Sequence, residues 1–124
     1  MQKVTGIGGF FFRAADSDGL ADWYRDALGI DPVPTTYDAP SWHQESGPTV
    51  FTAMPEAMDQ FGAAEKVWGI NFRVVDLDAM VAQLEAAGTV VTVDPGHYPN
   101  GRFASLADPE GNPIQLWEPH GTDA

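Results

Sequence analysis

Sixty residues separate two copies of one pattern. Phe12, Arg13, Asp16 and Asp18 recur, in type and in spacing, as Phe72, Arg73, Asp76 and Asp78. Each copy stands where a short apolar run gives way to an aspartate of the kind that caps a helix start. Each following helical stretch meets a glycine, Gly29 and Gly88, 59 residues apart. A unit repeated twice is not a solenoid, which needs about three or more repeats to bury its faces. With 124 residues, the chain fits one domain built from a duplicated module rather than two independent cores.

Periodicity fills in the modules. In residues 4–54, the apolar, aromatic run at 4–13 predicts a strand, being glycine-flanked and too short for a buried helix. Leu20, Ala21, Trp23, Tyr24, Ala27 and Leu28 recur at helical spacing behind Asp16-Ser17-Asp18, and Gly29 predicts the stop. Strands are expected at 33–37, 41–44 and 49–53, separated by Pro, Gly, Asp and Ser. Residues 55–66 read as a connector with room for one helical turn. Module two, residues 67–119, repeats the order. It has a strand at 67–75, a helix carrying Leu77, Met80, Val81, Leu84 and Ala87, and a strand at 89–93. Two more strands, at 102–106 and 114–117, flank the turn Asp108-Pro109-Glu110-Gly111. The expected class is α+β, two β-α-β-β-β modules in a single domain over 1–124.

Charge and composition exclude several functions. The net charge is −12, from 18 acidic and six scattered basic residues. A polyanion binder needs its cations clustered, so nucleic acid is not an expected partner. No apolar run approaches the ~20 residues of a membrane span. The N-terminus lacks a signal-peptide pattern, and there is no Cys; a cytoplasmic location is the default expectation. Gly6-Ile7-Gly8-Gly9 lies within a predicted strand and is no phosphate loop, and no Ser stands in a nucleophile-elbow context.

Three segments carry a resemblance. They are Gly9-Phe10-Phe11-Phe12-Arg13-Ala14-Ala15-Asp16 with Trp23-Tyr24-Arg25-Asp26-Ala27-Leu28-Gly29, then Ile70-Asn71-Phe72-Arg73-Val74-Val75-Asp76-Leu77-Asp78, and Asp108-Pro109-Glu110-Gly111-Asn112-Pro113-Ile114-Gln115-Leu116-Trp117-Glu118-Pro119. Together they resemble the vicinal oxygen chelate superfamily, which holds glyoxalase I, bleomycin-resistance proteins and extradiol dioxygenases. The resemblance implies that the strands of both modules curl into a cup with the helices outside, and that the chain forms a homodimer. It specifies the reaction poorly, because one fold hosts many chemistries. In the family's metallo-enzymes four side chains hold a divalent metal. Carried over, their positions fall on Gly9, Gly69, Phe51 and Gln115. Of these, Gln115 alone offers a donor, a neutral amide oxygen. A register slip of one residue, to Trp68 or Ile70, Thr52 and Leu116, changes little. No metal and no cofactor are therefore expected at these positions; a divalent metal held by other ligands stays open.

Strand alternation then says what the cup offers. With Gly9 and Gly69 facing in, so do Phe11, Arg13, Asn71 and Arg73, while Phe10, Phe12, Ile70, Phe72 and Val74 face the helices. Phe51, Gln115 and Trp117 face in from the last strands. Such a lining suits a small organic ligand, with apolar walls and a few convergent polar groups. The alternative is that Phe11, Phe51 and Trp117 close a packed core. Arg13 and Arg73 fit either anion recognition or pairing with Asp16 and Asp76. His43 is the candidate acid or base, against the plainer reading of a half-exposed strand residue. His97, in a loop able to cap a pocket, and His120 share no ligand-like spacing with it. Beside an oligomeric or regulatory module with no ligand, two functions follow. The first is a binder of a small organic molecule that works by sequestration, as in bleomycin resistance, a role the acidic charge suits. The second is a glyoxalase-like lyase or isomerase, or a dioxygenase-related enzyme, with non-standard metal ligands or His43 chemistry.

Overall fold

Both helices begin where the duplicated aspartates put them. Helix α1 spans Ser17–Leu28; the Asp16 carboxylate accepts from the Gly19 amide at 3.0 Å, and Gly29 ends the helix in the left-handed region, φ 72°. Helix α2 spans Leu77–Ala86, and Asp76 accepts from the Ala79 amide at 3.0 Å. Each cap satisfies an amide that the helix itself leaves without a partner. Helix α2 has a second support from far along the chain: the Leu77 amide donates to the Glu118 carboxylate at 2.9 Å. That bond holds the Glu118 carboxyl below the usual range, with a further contribution from His120.

The computed structural model describes residues 1–59, 61–62 and 65–124. Four strands form one open sheet: β1 (Ile70–Arg73), β2 (Thr92–Val93), β3 (Gly101–Ala107) and β4 (Pro113–Pro119), in the order β1-β4-β3-β2. Strand β1 runs parallel to β4, with Ile70 opposite Ile114 and Arg73 opposite Trp117. Strands β3 and β4 form an antiparallel hairpin that places Phe103 opposite Trp117 and Ser105 opposite Gln115. The second module thus has the expected order of strand, helix and three strands.

One face of this sheet is the core. Ala104, Leu106, Ile114 and Leu116 are buried beneath Leu77, Val81 and Leu84 of α2 and Ala27 of α1. Leu77, Leu84 and Leu116 are fully buried, each stabilising the fold by about 1.5–3 kcal/mol. Gln83 ties the helices together by donating to the Ala27 carbonyl at 3.0 Å. Of the expected helix-facing set, Ile70, Phe72 and Val74 pack against this core; Phe12 lies edge-on to Tyr24, which lies edge-on to Phe72, but Phe10 and Phe12, which both meet Trp68, stay exposed.

The turn between β3 and β4 holds α1. Asp108, 4% exposed, accepts from the amides of Glu110 at 2.9 Å and Asn112 at 3.0 Å, and from the Asn112 side chain at 2.8 Å. Its fourth donor is the Tyr24 hydroxyl of α1 at 2.6 Å. Burial, and then this bond to a carboxylate, push the Tyr24 phenol up. Glu110 reaches the same helix start, accepting from the Ala15 amide at 2.7 Å and the Asp16 amide at 3.1 Å.

The first module departs from its sequence pattern. The strands expected at 4–13, 33–37, 41–44 and 49–53 carry no ladder. A helix closes its hydrogen bonds within its own segment, whereas a strand exists through a second backbone. Among the described residues these segments find none, and β1 remains an open edge of the sheet. In module two the ladders run longer on β3 and β4 than expected and shorter on β1 and β2. The connector at 55–66 falls partly on residues 60, 63 and 64, outside the described residues; residues 56–57 form a turn closed by the Met58 amide on the Pro55 carbonyl.

Asp108→Ala leaves the Tyr24 hydroxyl and two Asn112 donors unmatched in a buried site, and urea unfolding at pH 7 should show a loss of about 3 kcal/mol. Tyr24→Phe should cost about 1 kcal/mol. The raised Tyr24 phenol also gives a pH signature. The folded chain keeps a proton that the unfolded chain releases near pH ~10, so stability falls as pH rises above that value. Tyr24→Phe should remove most of this fall. Tyr98, raised by its bonds to Asp94, accounts for the remainder.

Candidate functional site

On the sheet face turned away from the helices, Asn71 stands opposite Gln115 in the β1–β4 register, and Ser105 stands opposite Gln115 in the β3–β4 register. The Asn71 side-chain amide donates to the Gln115 amide oxygen at 2.7 Å. A groove of about 410 Å³ opens here; Asn71, Gln115, Ser105 and Thr92 line it from the sheet, and Phe61 and Lys66 from the connector. Gly69 makes room for this wall, because a Cβ there would lie 2.8 Å from the Phe61 ring.

Farther along the same face the side chains are already engaged. Trp117 is 4% exposed. It stacks on Phe103, ring planes 6° apart and centroids 6.2 Å apart, and its indole N–H donates to the Asn100 carbonyl at 2.8 Å. Gly101 permits that approach; its φ is 138°, and a Cβ would meet the Trp117 nitrogen at 2.8 Å. The Arg73 guanidinium donates to the Glu45 carbonyl at 2.6 Å and to the Pro48 carbonyl. It sits so close to Gly47 that a Cβ there would be 2.7 Å from its central carbon. Arg73 therefore grips the 45–48 loop instead of pairing with Asp76.

The remaining sequence candidates lie apart from the groove. Phe11 and Phe51 are each 91% exposed, and the Phe11 ring folds back over Gly9. Arg13 is exposed and makes no ion pair among the described residues. His43 is exposed, with Nδ1 at 2.8 Å from the Ser41 carbonyl of its own turn. His120 meets Glu118 at 2.8 Å. Among the described residues no three His, Asp or Glu side chains gather in a metal-holding group. The sequence reading overlooked Phe61, Lys66, Thr92 and Ser105. Ser105 was within reach, since it alternates with the core residues Ala104 and Leu106. Lys66 was one of only six basic residues in an acidic chain, but its place in a connector hid its address.

The chain matches the family model described as a glyoxalase-like domain over residues 9–117. It is 33% identical over 116 residues to the anthracycline biosynthesis protein DnrV of Streptomyces peucetius, a match that takes in 88% of this chain and 41% of DnrV. The DauV protein of Streptomyces sp. strain C5 matches to the same extent. The chain thus spans about two fifths of the length of these curated relatives. Among solved structures, TnmS3, an antibiotic binding protein from Streptomyces sp. CB03234, superposes with a TM-score of 0.64 at 22% identity, covering 96% of this chain and 99% of that one. A glyoxylase/bleomycin resistance protein/dioxygenase domain from Frankia sp. EAN1pec gives 0.59 at 17% identity, covering 95% and 100%. At these identities the two structures share the fold.

Arg13 and Arg73 occupy equivalent positions in the repeat but have different surroundings, and mutation should separate them. Arg73→Ala should lower unfolding free energy by about 2 kcal/mol, the scale of hydrogen bonds to a charged group, and should open the 45–48 loop to protease. Arg13→Ala should stay within about 0.5 kcal/mol of the parent.

Proposed function

The chain belongs to the glyoxalase-like domain family, and on that premise we propose that it binds a small, partly aromatic organic molecule and holds it without chemical change. The observation that carries this reading is the groove beside the Asn71–Gln115 pair, about 410 Å³ in volume. That volume lies in the range of small-molecule sites, ~300–1,000 Å³. Its lining joins the Phe61 ring to a few polar groups and includes no acid–base pair: His43 is bound to its own turn elsewhere. The printed role of TnmS3, an antibiotic binding protein, agrees with a binder, and that of DnrV, an anthracycline biosynthesis protein, agrees with an organic ligand of this kind. An anthracycline is a flat polycyclic aromatic, a shape suited to a sheet face bordered by a ring.

The reading carries no metal. Gly9, Gly69 and Phe51 bring no ligating atom to the positions carried over from the family, and the Gln115 oxygen accepts from Asn71. Divalent cations require several oxygen, imidazole or carboxylate donors, and this set does not fit one. The reading also includes a second copy of the chain. Val4, Phe11, Val33 and Phe51 are strongly exposed along strand-patterned segments, while β1 offers an unpaired edge. Exposed apolar strands and open edges favour association.

Titration with an anthracycline aglycone, a phenolic polycycle, should quench the tryptophan fluorescence saturably and raise the melting temperature; at a hundredfold excess over Kd the stabilisation is about 2.7 kcal/mol. The double variant Asn71→Ala, Gln115→Ala should bind about tenfold more weakly. Prior treatment with chelator should change neither result, and mass spectrometry should return the compound unaltered. Failure of a panel of polycyclic aromatics to bind would end the binder reading, and an altered product would replace it with an enzyme.

Light scattering should give a mass twice the 13.4 kDa of the chain, and Phe51→Asp should shift it toward the monomer. A parent protein that stays monomeric at tens of micromolar (~10–100 μM, where specific contacts of moderate affinity are filled) would remove the dimer.

A further inference from the structure

We infer that Lys66 makes the groove selective for aromatic molecules bearing an oxygen anion, a carboxylate or an ionised phenol; this rests on the binder reading and names the ligand class of the same site. The six basic side chains of this acidic chain have distinct fates. Arg25 pairs with Asp22 at 3.1 Å and Asp26 at 2.8 Å, and Arg102 with Asp78 at 3.1 Å. Arg73 is held by backbone carbonyls. Lys3 and Arg13 are exposed on the first segment. Lys66 is half-buried, lines the groove, and has no carboxylate within 4.0 Å among the described residues.

The rest of the lining agrees in sign. Among the described residues it includes no Asp or Glu. With the Gln115 oxygen accepting from Asn71, the Gln115 N–H groups are its remaining polar atoms. Ser105 and Thr92 add hydroxyls to the lining. A half-buried lysine among neutral amide and hydroxyl groups is complemented by an oxyanion, and charge-assisted bonds of this kind are about twice as strong as neutral ones. The net charge of −12 acts through solvent and is screened beyond ~8 Å at physiological salt, whereas Lys66 is part of the groove wall.

Three matched probes test this: 2-naphthoate, its neutral amide 2-naphthamide, and the cation 2-naphthylmethylammonium, each measured by equilibrium dialysis. Wild-type protein should bind the naphthoate about tenfold more tightly than the amide, a difference of about 1.4 kcal/mol, and the cation most weakly. Lys66→Met, which keeps the apolar stem, should abolish the naphthoate preference and leave the amide within about twofold, so the amide reports that the groove is intact. Lys66→Arg should retain the preference. If the amide equals the naphthoate in wild type, or the preference survives Lys66→Met, the selectivity inference is overturned and the binder reading stands. If none of the three binds wild-type protein, both fall.

Discussion

Four donors converge on the buried carboxylate of Asp108. Three come from its own turn, while the fourth, the Tyr24 hydroxyl, belongs to a helix 84 residues earlier in the chain. A carboxylate removed from water is tolerated when its lone pairs are matched. Here the matching is shared between the two halves of the repeat. The turn that joins β3 to β4 thereby fixes α1 over the sheet, and Glu110 of the same turn takes the amides that lead into that helix. A short run, Asp108-Pro109-Glu110-Gly111-Asn112, thus closes a hairpin and docks the first module at once.

With α1 and α2 both on one face, the sheet is left two-sided. The covered face is aliphatic and tightly buried. The opposite face is graded along its length. Toward β1's C-terminal end, Trp117, Phe103 and Arg73 are occupied with one another's strands and with the 45–48 loop. Toward its N-terminal end, glycine at position 69 lets the connector's Phe61 approach and a groove opens. Structure-bearing and groove-lining polar groups therefore divide along one strand, with Arg73 on the first side and Asn71, two residues away, on the second.

The comparisons and the site differ in reach. Family membership and shared fold follow from the match over residues 9–117 and from the superposed structures. The chemistry depends on side chains, and at the positions that resemblance assigns to the family's metal ligands the sequence has Gly9, Gly69, Phe51 and Gln115, the last accepting from Asn71. A sheet of this kind is a scaffold whose function is rewritten by a few residues. Here Asn71, Gln115, Ser105, Thr92, Lys66 and Phe61 line the groove.

What the sequence by itself determined is local or periodic. The Asp16 and Asp76 caps, the Gly29 stop, the helix-facing set of Ile70, Phe72 and Val74, and the Asn71–Gln115 side of the sheet could all be read from spacing and alternation. A helix satisfies its backbone within a dozen residues, and a strand's two faces follow from its pleat. Three things were decided by the tertiary structure. The first-module segments with strand pattern carry no ladder, because pairing needs a remote backbone. Arg13 and Arg73, identical in the repeat, part ways because the 45–48 loop comes to only one of them. Lys66, within a connector of no legible pattern, becomes part of the groove wall because the chain returns there to the sheet. Each depends on contact between residues distant along the chain, and no local period encodes that contact.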